Sequence, residues 1–330
     1  MNKNEMNIGI IGTGKIVNEM IPVVQEISGI TIQAICSRPQ SLSKAERLAA
    51  LFHIKEVYND YDAMLRNSDI DFVYVAVANH AHADYARRAL LAKKNVIIEK
   101  PSCSSVAELE ELMQLASADN LYIFEAVTLL HMPHYRLIKD ELLAQLGRIK
   151  LITCNYSQRS SRYDLYLNHQ LTPAFDTACH GGALMDINVY NINFVVSLFG
   201  EPTGVEYHPN VGHNKIDTSG VAILAYPDFV ATCIGAKDCD GYSFGAIQGD
   251  EGRIVVTGPV STLSELELCK DGKSQTINIQ PKKHRLAFEF EHFRDIYHAH
   301  QVDEMKHYLQ ISHQVMKVID QLRDYTLFNK

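Results

Sequence analysis

The sequence predicts an α/β protein in two parts: a parallel sheet covered by helices on both faces, then a mainly antiparallel sheet accompanied by helices. Three observations carry this. The first 126 residues alternate short β-branched runs with stretches of helical period. One of those runs, Asp71–Val77 ("DFVYVAV"), is apolar on both faces, as a central parallel strand must be. Beyond residue 200, strand-like runs follow one another with few helices between them. At 330 residues the chain has room for two domains, expected at 1–126 and 127–330, with the last helix free to pack back on the first.

The elements follow in order. "NIGIIG" (7–12) is a strand, and "KIVNEMIPVVQEI" (15–27) places apolar residues at 16, 20, 23, 24 and 27, a helical spacing. Pro22 inside it is expected to kink or interrupt the helix. A strand at 31–37 leads to a helix ending near Leu51; a helix at 81–93, a strand at 95–99, a helix to Ala118 and a strand at 121–127 follow. Ser105 with Glu108 three residues on is a capping-box pattern. Pro133–Leu146 reads as a helix, 148–158 as a strand, 159–175 as a polar loop, and Ala183–Phe199 as an apolar helix. Strands are expected near 203–208, 219–226, 229–236, 243–249, 252–257, 264–269 and 274–279, then helices at 286–300 and 302–323.

Composition narrows the function classes. A net charge of −8 without a Lys/Arg cluster argues against nucleic acid or an anionic membrane as partner. No apolar run approaches the ~18 residues needed to span a bilayer. The start "MNKNEMNIGIIG" lacks a signal-peptide layout, because its apolar run leads into a glycine loop. Seven cysteines without a CxxC fit reduced, mostly buried thiols and a cytoplasmic protein.

Gly12-Thr13-Gly14-Lys15-Ile16 follows a strand and opens a helix. Glycines there let the backbone turn tightly and approach a pyrophosphate resting on the helix's positive end. The third fingerprint position is Val17 instead of Gly or Ala. The end of the second strand, where a carboxylate usually binds a ribose 2′-hydroxyl, reads Cys36-Ser37-Arg38. Arg38 can pair with a 2′-phosphate and Ser37 can donate to it, which favours NADP, with NAD still open. Asn79 and His82 follow the central strand, where ligands of a doubly wound sheet bind, and are candidates for touching the cofactor or lining its site. The rival reading is a metal-dependent hydrolase using His80 and His82, with His131, His134 or His180 completing the ligand set.

Glu99-Lys100-Pro101 ends a buried strand on a lysine. Pro101 forbids helix there and restricts Lys100. A lysine partly withdrawn from water exchanges a proton nearer neutrality, although an ordinary surface lysine fits the spacing equally. "HGGALMDINVY" (180–190) places Asp186 and Tyr190 four apart, on one face of a helix whose neighbours are apolar. A carboxylate there is costly without a partner.

Taken together, "GIIGTGKIV", "VIIEKP" and "GGALMDINVYNINF" resemble the Gfo/Idh/MocA family of NAD(P)-dependent oxidoreductases, nearly end to end. The resemblance implies an N-terminal Rossmann domain that binds NAD(P), with Glu99 and Lys100 at its cofactor site, and a C-terminal α/β domain with an open, mostly antiparallel sheet that binds substrate and oligomerises. It implies that Lys100 hydrogen-bonds the reacting oxygen and that Asp186 is the family's aspartate. Inositol-type members have His four residues later; Tyr190 here is more like the glucose–fructose oxidoreductase and dihydrodiol dehydrogenase branches.

The expected reaction is reversible oxidation of a secondary alcohol on a sugar, polyol or cyclic diol, by a homodimer or larger homo-oligomer. Tyr190 is expected to donate or accept the proton, Lys100 to lower its pKa and hold the oxygen, and Asp186 to orient the substrate or keep the lysine charged. A non-catalytic dinucleotide sensor is the other alternative. Turnover on an alcohol panel separates it, and metal analysis separates the hydrolase.

Overall fold

The computed structural model describes residues 5–328, with side chains to 324. Residues 1–4 and 329–330, included in the expected domain bounds, lie outside the described residues. The chain divides into two compact units, Met1–Ala126 with His284–Gln310, and Val127–Lys283 with Ile311–Lys330.

The first unit is built on six strands: β1 (Met6–Ile11), β2 (Ile30–Cys36), β3 (Glu56–Tyr58), β4 (Phe72–Val75), β5 (Asn95–Glu99) and β6 (Ile123–Ala126). They are parallel and ordered β3-β2-β1-β4-β5-β6, so the direction of travel reverses between β1 and β4. Ligands of such sheets lie beyond the strand carboxyl ends at that reversal. The connecting helices are α1 (Lys15–Val24), α2 (Leu42–Phe52), α3 (Tyr61–Leu65), α4 (His82–Leu91) and α5 (Val106–Ala118). Pro22 does not interrupt α1: it lies inside the last turn, where its missing N–H forgoes one bond to the Asn18 carbonyl, yet the Gln25 N–H still donates to the Ile21 carbonyl at 3.1 Å. Ser105 caps α5 by accepting the Glu108 N–H, and Glu108 reaches back to the Ser104 N–H at 2.8 Å.

The second unit holds an eight-stranded sheet. Its elements are α6 (Pro133–Leu137), β7 (Ile149–Ser157), α7 (Tyr163–Leu167), α8 (Val189–Phe199), β8 (Gly204–Val211), β9 (Asp217–Ala225), β10 (Val230–Ala236), β11 (Phe244–Gly249), β12 (Gly252–Thr257), β13 (Glu265–Lys270) and β14 (Lys273–Ile277). The strand order is β14-β13-β12-β11-β7-β10-β9-β8, and only β7 with β10 is parallel. Period-two alternation gives the sheet two faces. Ala222, Cys233, Cys154, Gly245, Val256 and Leu266, matched across the register, are all buried. The next row, Ile223, Thr232, Thr153, Ala246 and Val255, lies on the other face and is largely half-buried.

Two expected helices differ in detail. After α6 the chain passes through a π-helical turn, Ile138–Leu142, and a 3₁₀ turn before β7. The segment expected to begin a regular helix at Ala183 instead makes a π-helical turn, Leu184–Asn188, before α8. There the Asn188 and Asn191 amides reach across to the Cys233 and Ile234 carbonyls of β10, both at 2.9 Å. The helical run Thr177–Phe199, 23 residues with mean hydropathy 1.2, is long and apolar enough to cross a membrane, contrary to the expectation that no stretch approaches that length. Its apolar window is 72% buried inside the protein, as in a core helix.

Helices α9 (Arg285–His298) and α10 (Val302–Phe328) close the chain. Phe293 of α9 stacks on Phe124 of β6 with ring centroids 4.5 Å apart, and Tyr297 meets Phe72 of β4 edge-on at 4.9 Å. Each such pair contributes about 0.5–1.5 kcal/mol beyond its burial. All seven cysteines are free and five are buried; burial pushes the Cys36 and Cys154 thiols up to about 12, so these two act as small apolar groups.

Candidate functional site

In the first unit the turn after β1 lies at the sheet's reversal point. Gly12 has φ +125°, and a Cβ there would stand 2.1 Å from the Ala76 carbonyl oxygen beyond β4. Only glycine fits such a backbone. Its N–H donates to the Cys36 carbonyl at 3.0 Å, which draws the three strand ends together. Thr13 follows, half-buried. Gly14 caps α1 in extended conformation, φ −74°, without a side-chain hydrogen bond, and no acidic residue occupies the first turn. A Cβ on Gly14 would meet no protein atom within 4 Å. Lys15 is exposed and Ile16 half-buried at the same end. An open, uncapped helix N-terminus beside a close-approach glycine fits a dinucleotide pyrophosphate.

At the end of β2, Ser37 is buried, and its hydroxyl already donates to the Arg38 carbonyl at 3.2 Å. It is therefore not turned toward a phosphate as expected. Arg38 is exposed, and its guanidinium has no hydrogen-bond or ion-pair partner among the described residues. A cation held in the open at this strand end suits a 2′-phosphate.

Asn79 is half-buried just beyond β4 and opens a short 3₁₀ turn. His82 does not line the cofactor site: it is 1% exposed and lies between two backbone carbonyls, Nδ1 2.8 Å from Pro101 and Nε2 3.1 Å from Val77. Burial pushes its pKa down to about 4, so near neutrality it is an uncharged ring with one N–H to give. The nearer acceptor, Pro101, ties α4 to the turn after β5. Glu99 also faces inward, accepting from the Tyr74 hydroxyl and from the Lys100 N–H at 3.3 Å, and burial pushes its carboxyl up. The Ser102 N–H donates to Glu125 at 2.7 Å. The Lys100–Pro101 peptide is cis. The chain on both sides of half-buried Lys100 is thus pinned by Tyr74, His82 and Glu125, which explains how a buried strand delivers a fixed lysine at its end.

In the second unit, Asp186 lies in the π-helical turn and Tyr190 in the first turn of α8, both half-buried. The Tyr190 ring lies 6.0 Å from that of Tyr156 on β7. Asp186 has a partner the sequence reading missed: Lys237, just past β10, holds its Oδ2 at 2.7 Å. The available signal was a lysine directly following an apolar strand, the pattern that drew attention to Lys100. Asp217 fixes the same segment by accepting the Leu184 N–H and the Tyr207 hydroxyl, both at 2.6 Å.

Two of the histidines named for the hydrolase reading are engaged elsewhere. His82 is committed to backbone carbonyls, and His134 is engaged at both nitrogens, by the Leu263 carbonyl at 2.6 Å and the Ile279 N–H at 2.9 Å. Among the described residues no group of three or more His, Cys, Asp or Glu is placed to hold a metal ion.

Comparison with known proteins gives consistent matches. A family model described as an oxidoreductase family with an NAD-binding Rossmann fold matches residues 6–126, and a GFO/IDH/MocA C-terminal domain matches residues 141–258. The chain is 28% identical to scyllo-inositol 2-dehydrogenase (NADP(+)) of Bacillus subtilis strain 168, over 96% of each chain. It is 29% identical to trans-1,2-dihydrobenzene-1,2-diol dehydrogenase of Xenopus tropicalis, over 66% of this chain and 64% of that one. A 3-ketoreductase of Actinomadura kijaniata, solved with NADP and TDP-benzene, matches with a TM-score of 0.82 and 22% identity, covering 97% and 98% of the two chains; at that identity the likeness concerns the fold.

Proposed function

Since the chain belongs to the Gfo/Idh/MocA family of oxidoreductases, we propose that it is an NADP-dependent dehydrogenase or reductase acting on a secondary alcohol or carbonyl of a sugar, polyol or cyclic diol. The observation that carries the reading is the open N-terminus of α1 at Gly14, beside the strand ends where Lys100 is pinned. The names of the Bacillus and Xenopus relatives support the substrate class. Unpartnered Arg38 supports NADP over NAD.

When bound, the nicotinamide cofactor accepts or supplies the hydride. The protein's part is to bind, orient and move a proton. The Gly12–Gly14 turn and the α1 N–H groups hold the pyrophosphate, Arg38 the 2′-phosphate, and Asn79 lines the pocket. Lys100 donates a hydrogen bond to the reacting oxygen. Tyr190 exchanges the proton with that oxygen, and Asp186 accepts from a second hydroxyl and orients the substrate.

The test is kinetic. Lys100→Met and Tyr190→Phe each keep most of the side-chain shape, and each is expected to lower kcat by about 10²–10⁴-fold with cofactor affinity retained. The double variant is expected to be far less than additive. Near-normal kcat in both single variants contradicts the assignment. A loss confined to Lys100 demotes Tyr190 to a wall of the pocket and leaves Asp186 or His180 as its partner.

The protein is further proposed to be a cytoplasmic homo-oligomer that pairs through the outer face of the eight-stranded sheet. Leu151 and Val230, adjacent in register on that face, are each 40% exposed. They continue the half-buried row through Ile223 and Val255, an apolar surface that a second copy would cover.

A further inference from the structure

The second unit contains a buried ammonium that the chemistry above does not use. Lys237 is 2% exposed, and its main chain is fixed on both sides: its N–H donates to the Thr218 carbonyl at 2.9 Å, and its carbonyl accepts the Ser160 N–H at 2.9 Å. Its Nζ has partners on two further segments. It stands 2.7 Å from Asp186 Oδ2, donates to the Ala174 carbonyl at 2.6 Å, and lies 4.4 Å from the centroid of the Phe175 ring. An ammonium has three protons and no acceptor, and these contacts account for them. A charge so buried is costly unless paired and hydrogen-bonded, and this one is both. Its partner differs: the Asp186 side chain keeps 42% of its surface exposed. The carboxylate is anchored from its buried side and presented on its open side.

We propose that Lys237 is a positioning residue: it fixes and charge-compensates Asp186, so that Asp186 offers an acceptor to a hydroxyl of an uncharged substrate, and it links that contact to the Pro173–Phe175 turn. A lone carboxylate would favour a cationic ligand; one already matched by an internal ammonium favours a neutral polyol over an amino sugar. The proposal rests on the reading of Asp186 as a substrate-orienting group.

Four proteins test it: wild type, Lys237→Met, Asp186→Asn and the double variant. The measurements are thermal unfolding, NADPH affinity, and kcat/KM on a polyol and on a monohydric secondary alcohol. Lys237→Met is expected to lower kcat/KM roughly ten- to a hundredfold on the polyol, much less on the monohydric alcohol, and to leave NADPH affinity unchanged. Adding Asp186→Asn is expected to cost no further activity and to raise the unfolding temperature above that of Lys237→Met, because the carboxylate that lost its buried ammonium is neutralised with it. Multiplying losses, equal losses on the two alcohols, or normal polyol kinetics in Lys237→Met would overturn the proposal. If Lys237→Met does not fold, the neutral double variant decides: polyol activity equal to that of Asp186→Asn supports the proposal, and lower activity contradicts it. The unfolding measurements need no substrate, so a wild type inactive on every alcohol would refute the functional reading and leave the Lys237–Asp186 coupling still measurable.

Discussion

Replacing Gly14 by alanine separates the needs of the fold from those of the cofactor. Gly14 has φ −74° and ψ −177°, a backbone any residue adopts, and a Cβ there meets no protein atom within 4 Å. The apoprotein is therefore expected to tolerate Gly14→Ala and even to gain ~0.4–1 kcal/mol from the stiffer unfolded chain. The methyl group projects into the space at the α1 N-terminus assigned to the pyrophosphate. Overpacking of this kind costs ~1–3 kcal/mol, roughly five- to a hundred-and-fifty-fold in Kd. Gly12→Ala is the contrast: φ is +125° and the Cβ would lie 2.1 Å from the Ala76 carbonyl oxygen, so strain and overlap together cost the fold itself ~2–6 kcal/mol. Thermal unfolding of the apoproteins and fluorescence titration with NADPH measure both effects. Unchanged NADPH affinity in Gly14→Ala refutes the placement of the dinucleotide at this helix end.

Arg38→Ala is expected to reduce the preference for NADP over NAD about ten- to a hundredfold, from loss of one charge-assisted pair; parallel titrations with both cofactors check it, and unchanged NADP affinity contradicts it. Val230→Lys places a charge on the outer sheet face and is expected to convert an oligomer into monomers, as read by light scattering; a monomeric wild type at micromolar concentration refutes the interface. His82 supplies a pH dependence. Its folded pKa, about 4, lies below the ordinary 6.5, so the unfolded chain binds this proton more readily. Its contribution is fully present above pH 6.5 and is lost as pH falls through 4, amounting to about 3 kcal/mol at most. Denaturant unfolding should show stability rising more steeply between pH 4 and 6.5 in the wild type than in His82→Gln; parallel curves refute it.

The parallel half was legible because its signals are local. Phe72–Val75 is buried throughout and reads as a central strand, and Gly12-Thr13-Gly14 sits between a strand and a helix, where the pattern has a physical reason. Strand β3 escaped because it has three residues, its central Val57 is exposed, and it lies at the sheet edge. The inward turns of His82, Glu99 and Ser37 were illegible for another reason. Their partners (the Pro101 carbonyl, the Tyr74 hydroxyl and the Arg38 carbonyl) are set by how strand ends and turns meet, and residue type alone does not reveal that. The Lys237–Asp186 pair spans 51 positions and two elements, so neither residue announced the other, although a lysine directly after the apolar run of β10 was visible.

Transfer of label tests the central claim most directly. A polyol or cyclic diol deuterated at the carbinol carbon is incubated with NADP and the wild-type protein, and the cofactor is recovered for mass spectrometry. Hydride transfer predicts one deuterium gained by the reduced nicotinamide, at a rate that falls by about 10²–10⁴-fold in Lys100→Met and Tyr190→Phe. Tight NADP binding with no label gained from any sugar, polyol or diol offered would contradict the account and leave a dinucleotide sensor in its place.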